Sequence, residues 1–67
     1  MEPTRLDVQL ARVRTRLHEQ FDGRVDPSTV DDVVRRAAAR FQGARITQYV
    51  PTLVDRVARD TLRQQAG

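Results

Sequence analysis

Gly43-Ala-Arg-Ile-Thr-Gln-Tyr-Val-Pro-Thr-Leu-Val-Asp-Arg-Val-Ala-Arg-Asp-Thr-Leu62 is the stretch on which the reading of this chain turns. It opens on a helix stop and continues as a helix with a broad apolar face. At about 100° per residue, Tyr49, Val50, Leu53, Val54, Val57, Ala58, Thr61 and Leu62 spread over an arc of roughly 220°. A helix laid on one neighbouring layer needs a stripe only a little wider than about 100°. The surplus predicts a surface shared between chains. Leu53 and Val57 are read as near the centre of the arc and are expected to face the chain's own core. Tyr49, Val54, Ala58 and Leu62 are the expected dimer interface. Thr47 is the expected cap, because a start there carries Tyr49 and Val50 on the apolar face. A start at Pro51 is the alternative.

Working back from that stretch, Asp26-Pro27 marks another helix start: Asp favours the cap position, and Pro at the first helical position loses no hydrogen bond. Val30, Val34, Ala37 and Phe41 then recur at steps of four, three and four, with Val33 and Ala38 on the flanks. Asp31 and Asp32 precede Arg35, Arg36 and Arg40, the charge order that complements a helix dipole. Further upstream, Thr4-x-x-Asp7 is a capping-box pattern. Leu6, Leu10, Val13, Leu17 and Phe21 follow on one face, with Val8 off it and expected to be exposed. Gly23 and Gly43 are the two stops. The helices are expected at about Thr4–Phe21, Pro27–Gln42 and Thr47–Gln65, bounds read to within about 2–4 residues. Met1 to Pro3 reads as a lead-in, and Ala66-Gly67 as a frayed end. Short links between amphipathic helices favour neighbours that run antiparallel. The expected fold is an all-α antiparallel three-helix bundle, one domain over residues 1–67, assembled as a homodimer.

At 67 residues a single core yields only about 3–5 kcal/mol, and small scaffolds usually need a further staple. With no Cys, neither a disulfide nor a thiolate metal site can serve. Oligomerisation is the remaining common device. All 12 basic residues are Arg, interspersed with acids, and the net charge is only +3. That pattern does not favour a nucleic-acid partner. No basic-then-apolar leader and no apolar run of membrane length is visible. A cytoplasmic protein without a membrane partner is expected.

Residues that could carry chemistry are few. His18 is the only histidine; a metal needs about three or four ligands, so a surface role is expected. Asp31 and Asp32 diverge by about 100° on a helix and cannot share a substrate. Asp55 with Arg59 and Arg56 with Asp60 have the spacing of exposed ion pairs. Ser28 has no activating base near it in sequence, which nucleophilic catalysis requires. No catalytic residue, cofactor or metal is therefore assigned. A weaker alternative is a helix-turn-helix through Ala39-x-x-x-Gly43 and Ile46, with Thr47, Gln48 and Thr52 toward DNA bases. Asp55 and Pro51 in the reading helix count against it.

The words Val30-x-x-Val33, then Ala37-x-x-Arg40-Phe41-x-Gly43-x-Arg45-Ile46-x-x-Tyr49-Val50-Pro51-x-Leu53-Val54-x-Arg56-x-Ala58-Arg59-x-x-Leu62 resemble the three-helix-bundle dimerisation domain of high-G+C bacteria. That domain is similar to the segment ahead of low-molecular-weight-phosphatase-like and arsenate-reductase-like catalytic domains. It also occurs alone. The resemblance runs over roughly Leu6 to Leu62 and is most specific from Arg40 to Arg59. It implies a non-catalytic dimerisation module whose partner is itself, standing alone or beside such a catalytic domain. It brings no catalytic residue, because the phosphatase loop needs a Cys that this chain lacks.

Overall fold

Each of the three expected helices forms, and the first two are followed by the glycine stops visible in the sequence. The computed structural model describes residues 5–43, 45 and 48–66. Thr4 and Thr47, the expected caps, lie outside the described residues, as do Met1 to Pro3, Ile46 and Gly67. The first helix, α1, spans Arg5–Gln20. Val13 and Leu17 are buried on its inner face, and Leu6 and Leu10 pack against the same core half-buried. Val8 is 40% exposed, as its position off the stripe predicts. Phe21 is buried just beyond the helix, and its N–H still donates to the Leu17 carbonyl at 3.0 Å. Gly23 then turns the chain at φ +78°, a conformation that side-chain-bearing L residues resist. Arg24 and Val25 donate back to the Phe21 carbonyl at 2.9 and 3.1 Å, closing the turn.

The second helix, α2, spans Pro27–Ala39. Asp26 occupies the cap position, and its carbonyl accepts from Thr29 and Val30 at 3.0 and 3.1 Å. Its carboxylate makes no capping bond, so the expected side-chain cap is replaced by the fixed backbone of Pro27 at the first helical position. Val30, Val33, Val34 and Ala37 are buried. Phe41 is half-buried. The helix ends at Ala39 rather than Gln42. Arg40, Phe41 and Gln42 donate three residues back, to Ala37, Ala38 and Ala39, at 3.2, 3.1 and 3.2 Å. That is a tightened 3₁₀ turn, and Gly43 at φ +84° completes the stop.

The third helix, α3, spans Val50–Ala66 and so begins later than the Thr47 start expected from the apolar pattern. The reason is Pro51. Leu53 donates to the Tyr49 carbonyl at 3.0 Å, which makes Tyr49 the cap and Pro51 the second helical residue. The first N–H groups of a helix have no intrahelical acceptor, so a proline there forfeits nothing. A start at Thr47 would have sacrificed the first bond of the ladder.

One face of α3 closes the core, and it is not the face expected. Val50, Val54, Ala58 and Leu62 are the buried residues, the last three with no exposure at all. Val54, Ala58 and Leu62 therefore belong to the chain's own interior and leave no surface for a partner. Leu53, expected inside, is 40% exposed, and Val57 is half-buried at the edge. The buried stripe runs at steps of four, and its midpoint lies about 50° from the midpoint of the apolar arc. Leu17 of α1, Val30 of α2 and Val54 and Leu62 of α3 form the centre of the core, each below 2% exposed. No polar side chain is fully buried among the described residues. Every pair of helices is in contact, most extensively α2 with α3 and α1 with α3. The radius of gyration is 11.7 Å, close to the roughly 11 Å expected of a compact chain of this length. The described residues contain no strand, and none of their helices is long and apolar enough to cross a membrane.

Candidate functional site

The polar side chains sort into three groups, set by the helix faces that carry them. The first lies between α1 and α2. His18 and Arg14, four residues apart on α1, both reach Asp31 of α2. The His18 Nε2–H donates to Asp31 Oδ1 at 2.6 Å, and Arg14 Nε stands 3.7 Å from the same oxygen. The Arg14 and Asp31 side chains are each about half exposed. The sequence neighbours of His18 gave no sign of this contact, because its partner lies on another helix. Asp32 turns the other way, toward Arg35 and Arg36 of its own helix, with Arg36 Nε at 3.2 Å. The two carboxylates thus diverge, as their adjacency requires.

An open groove of about 860 Å³ runs beside this group, with Leu10, Ala11, Val34 and Ala38 on its apolar floor and Arg14 and Arg35 on its rim. Ser28 also borders it. Nucleophilic catalysis requires a base within hydrogen-bond reach of the hydroxyl. Among the described residues none engages Ser28, and His18 hydrogen-bonds only to Asp31. The His–Asp pair is an arrangement that ties two helices together. No group of three or more possible metal ligands occurs among the described residues.

The second group is the Asp55–Arg59 pair of α3, with Arg59 Nη2 donating to Asp55 Oδ2 at 2.7 Å. It was expected on an exposed face. Its side chains are only 17% and 31% exposed respectively, so the pair borders the buried stripe. The methylene stem of an arginine can cover apolar surface, but here the Arg59 Nε and the Asp55 Oδ1 are themselves buried without a hydrogen-bond partner among the described residues, so only the Nη2–Oδ2 bond compensates the pair.

The third group is the outer face of α3. Tyr49 is 61% exposed and Leu53 40%, and with Val8 of α1 they are the exposed large apolar residues among those described. Arg56 and Asp60 are exposed on the same face. Tyr49, Leu53, Arg56 and Asp60 follow at steps of four, three and four, and fall within about 60° of helix surface. Val57 adjoins them and meets Ala37 and Arg40 of α2 in a shallow depression. The Arg56–Asp60 pair expected from the spacing is not made. On a helix the acid is better placed N-terminal to the base, the order of Asp55 and Arg59 and the reverse of Arg56 and Asp60.

Of the residues expected at a dimer interface, Tyr49 is exposed, while Val54, Ala58 and Leu62 are buried. The exposed residues that share the face of Tyr49 are Leu53, Arg56 and Asp60. Comparison of the chain with protein-family models, with curated proteins and with solved structures yields no match.

Proposed function

We propose that this chain is a non-catalytic interaction module that forms a homodimer, with the outer face of α3 as its contact surface. The observation that carries the reading is the pairing of Tyr49 and Leu53, one turn apart and open to water, on a scaffold whose other large apolar residues are mostly turned inward. A core this small gains from a partner, since anything that binds only the folded state stabilises it by mass action. The helices run antiparallel to their chain neighbours in this reading, joined by the connections 21–26 and 40–49. The module works in the cytoplasm, alone or ahead of a phosphatase-like or arsenate-reductase-like domain, as its resemblance to the three-helix dimerisation domain implies.

The helix-turn-helix alternative receives less support. Its turn is about three to four residues, whereas α2 and α3 are separated by residues 40–49. The helix that would read bases carries Pro51 and Asp55.

The experiment is sedimentation velocity on the wild type and on the variant Tyr49→Ser with Leu53→Ser, with circular dichroism as the control for folding. The wild type should sediment as a dimer, and the variant as a helical monomer. A variant that dimerises as the wild type does would remove the α3 face from the proposal.

A further inference from the structure

The outer face of α3 carries Arg56 and Asp60, a basic and an acidic residue that the fold leaves unpaired, and their placement is self-complementary. Arg56 and Asp60 are exposed and make no ion pair or hydrogen bond with any described residue. Asp55 and Arg59, one position earlier on the same helix, do pair. The difference follows from order along the helix: the acid-first pair closes on itself and the base-first pair does not. The steps of four, three and four that link Tyr49, Leu53, Arg56 and Asp60 are those of a seam along which one helix meets another. Helix α3 spans Val50–Ala66. Its middle residue is Ala58, with Arg56 and Asp60 two residues to either side.

These facts fix how a second copy can lie on the face. An isologous interface brings the same patch together twice, so that a residue meeting a different residue on the partner is met by it in return. A parallel arrangement would stack Arg56 on Arg56 and Asp60 on Asp60. An antiparallel arrangement with the two helices fully overlapped places opposite charges face to face.

We propose that the partner on this face is a second copy of the chain, with the two α3 helices antiparallel about a two-fold axis near Ala58. Arg56 of each chain then pairs with the partner subunit's Asp60, and two reciprocal ion pairs set the register. This inference rests on the dimer reading and adds orientation and specificity to it. Val57 lies beside the axis and supplies apolar contact there. Arg63, in the last turn of α3, is exposed and lies about 20° from Arg56 around the helix. Leu53 and Tyr49 lie outward from the ion pairs on either side, where each Leu53 packs on the aliphatic stem of the partner subunit's Arg63. Charges at such a contact select partners more than they add affinity, because a like-charge juxtaposition is strongly penalised.

The test is a charge exchange read by sedimentation equilibrium and native mass spectrometry. Arg56→Asp alone places acid against acid at both contacts, and Asp60→Arg alone places base against base. Each should weaken self-association by roughly tenfold or more, from the like-charge penalty. An equimolar mixture of the two should recover association as a heterodimer. The double variant Arg56→Asp with Asp60→Arg should dimerise like the wild type. Arg12→Asp supplies the same change of net charge away from the face, and mixing it with Asp60→Arg should give no such recovery. Circular dichroism on every variant confirms that the helices remain. If the wild type dimerises but the single variants do so equally well, or the mixture does not recover, the antiparallel register is wrong and the dimer stands. A wild type that is monomeric throughout overturns both.

Discussion

Replacing Val54 by Asp separates the two faces of α3 with one substitution. Val54 has no exposure and sits with Leu17, Val30 and Leu62 at the centre of the core. Removing a fully buried valine forfeits at least about 1.5 kcal/mol of burial. An unpaired charge in that position costs a further 3–5 kcal/mol or so. A chain of 67 residues has a total stability of only about 3–10 kcal/mol, at roughly 0.05–0.15 kcal/mol per residue. Val54→Asp should therefore be largely unfolded at room temperature. Its neighbour gives the contrast. Leu53 is 40% exposed, so Leu53→Asp loses only part of one side chain's burial, about 1 kcal/mol. The new carboxylate also lies in the first turn of α3, where the helix dipole returns about 0.3–1 kcal/mol. Far-ultraviolet circular dichroism with thermal melts on the two variants makes the comparison. Val54→Asp should show no cooperative transition, whereas Leu53→Asp should remain helical and melt cooperatively while losing self-association. A folded Val54→Asp beside an unfolded Leu53→Asp would refute the assignment of the core face and restore the one the apolar arc suggested.

Other outcomes follow from the same structure. Gly43→Ala meets no atom within 4 Å of the added methyl, so its cost is the left-handed backbone alone, about 1–2 kcal/mol. A thermal melt should then fall by roughly 4–8 °C per kcal/mol. Asp31→Ala removes the tie between α1 and α2, but the pair with Arg14 is half-exposed and the loss should stay within about 1 kcal/mol, shrinking as salt is added. The chain should hydrolyse no phosphoester and reduce no arsenate in a continuous assay, because no thiol and no base–nucleophile pair is present among the described residues. Turnover abolished by a single substitution would contradict that. Duplex DNA titrated at low salt should show no binding that weakens steeply as salt rises, which is the signature of phosphate contacts.

Sequence pattern was sufficient wherever one helix face was cleanly apolar. Leu6, Leu10, Val13 and Leu17 on α1 with Phe21 just past its end, and Val30, Val34 and Ala37 on α2, turn inward as their spacing demands. The stops at Gly23 and Gly43 carry the positive φ that their place in the chain implies. The face of α3 was misread for a physical reason. Its buried stripe is bordered on one side by Leu53 and Val57 and on the other by Asp55 and Arg59. Hydropathy counts the first pair as core and the second as solvent. In the folded chain the ion pair screens one edge of the core, and the leucine stands in water. A charged pair that neutralises itself at a core edge cannot be told from an exposed one by spacing. The contact between His18 and Asp31 was hidden for a different reason, since it joins helices whose relative rotation spacing does not determine. Apolar continuity through Tyr49 and Val50 favours an early start for α3, and the missing N–H of Pro51 decides against it.

The measurement that bears most directly on the central proposal is the solution mass of the wild-type chain by sedimentation equilibrium, from low micromolar to near-millimolar concentration. The protomer mass is 7.7 kDa. Self-association through α3 predicts twice that mass at the upper end, with a concentration-dependent return toward the protomer on dilution. A mass of 7.7 kDa throughout, from a chain that is helical and melts cooperatively, would contradict it.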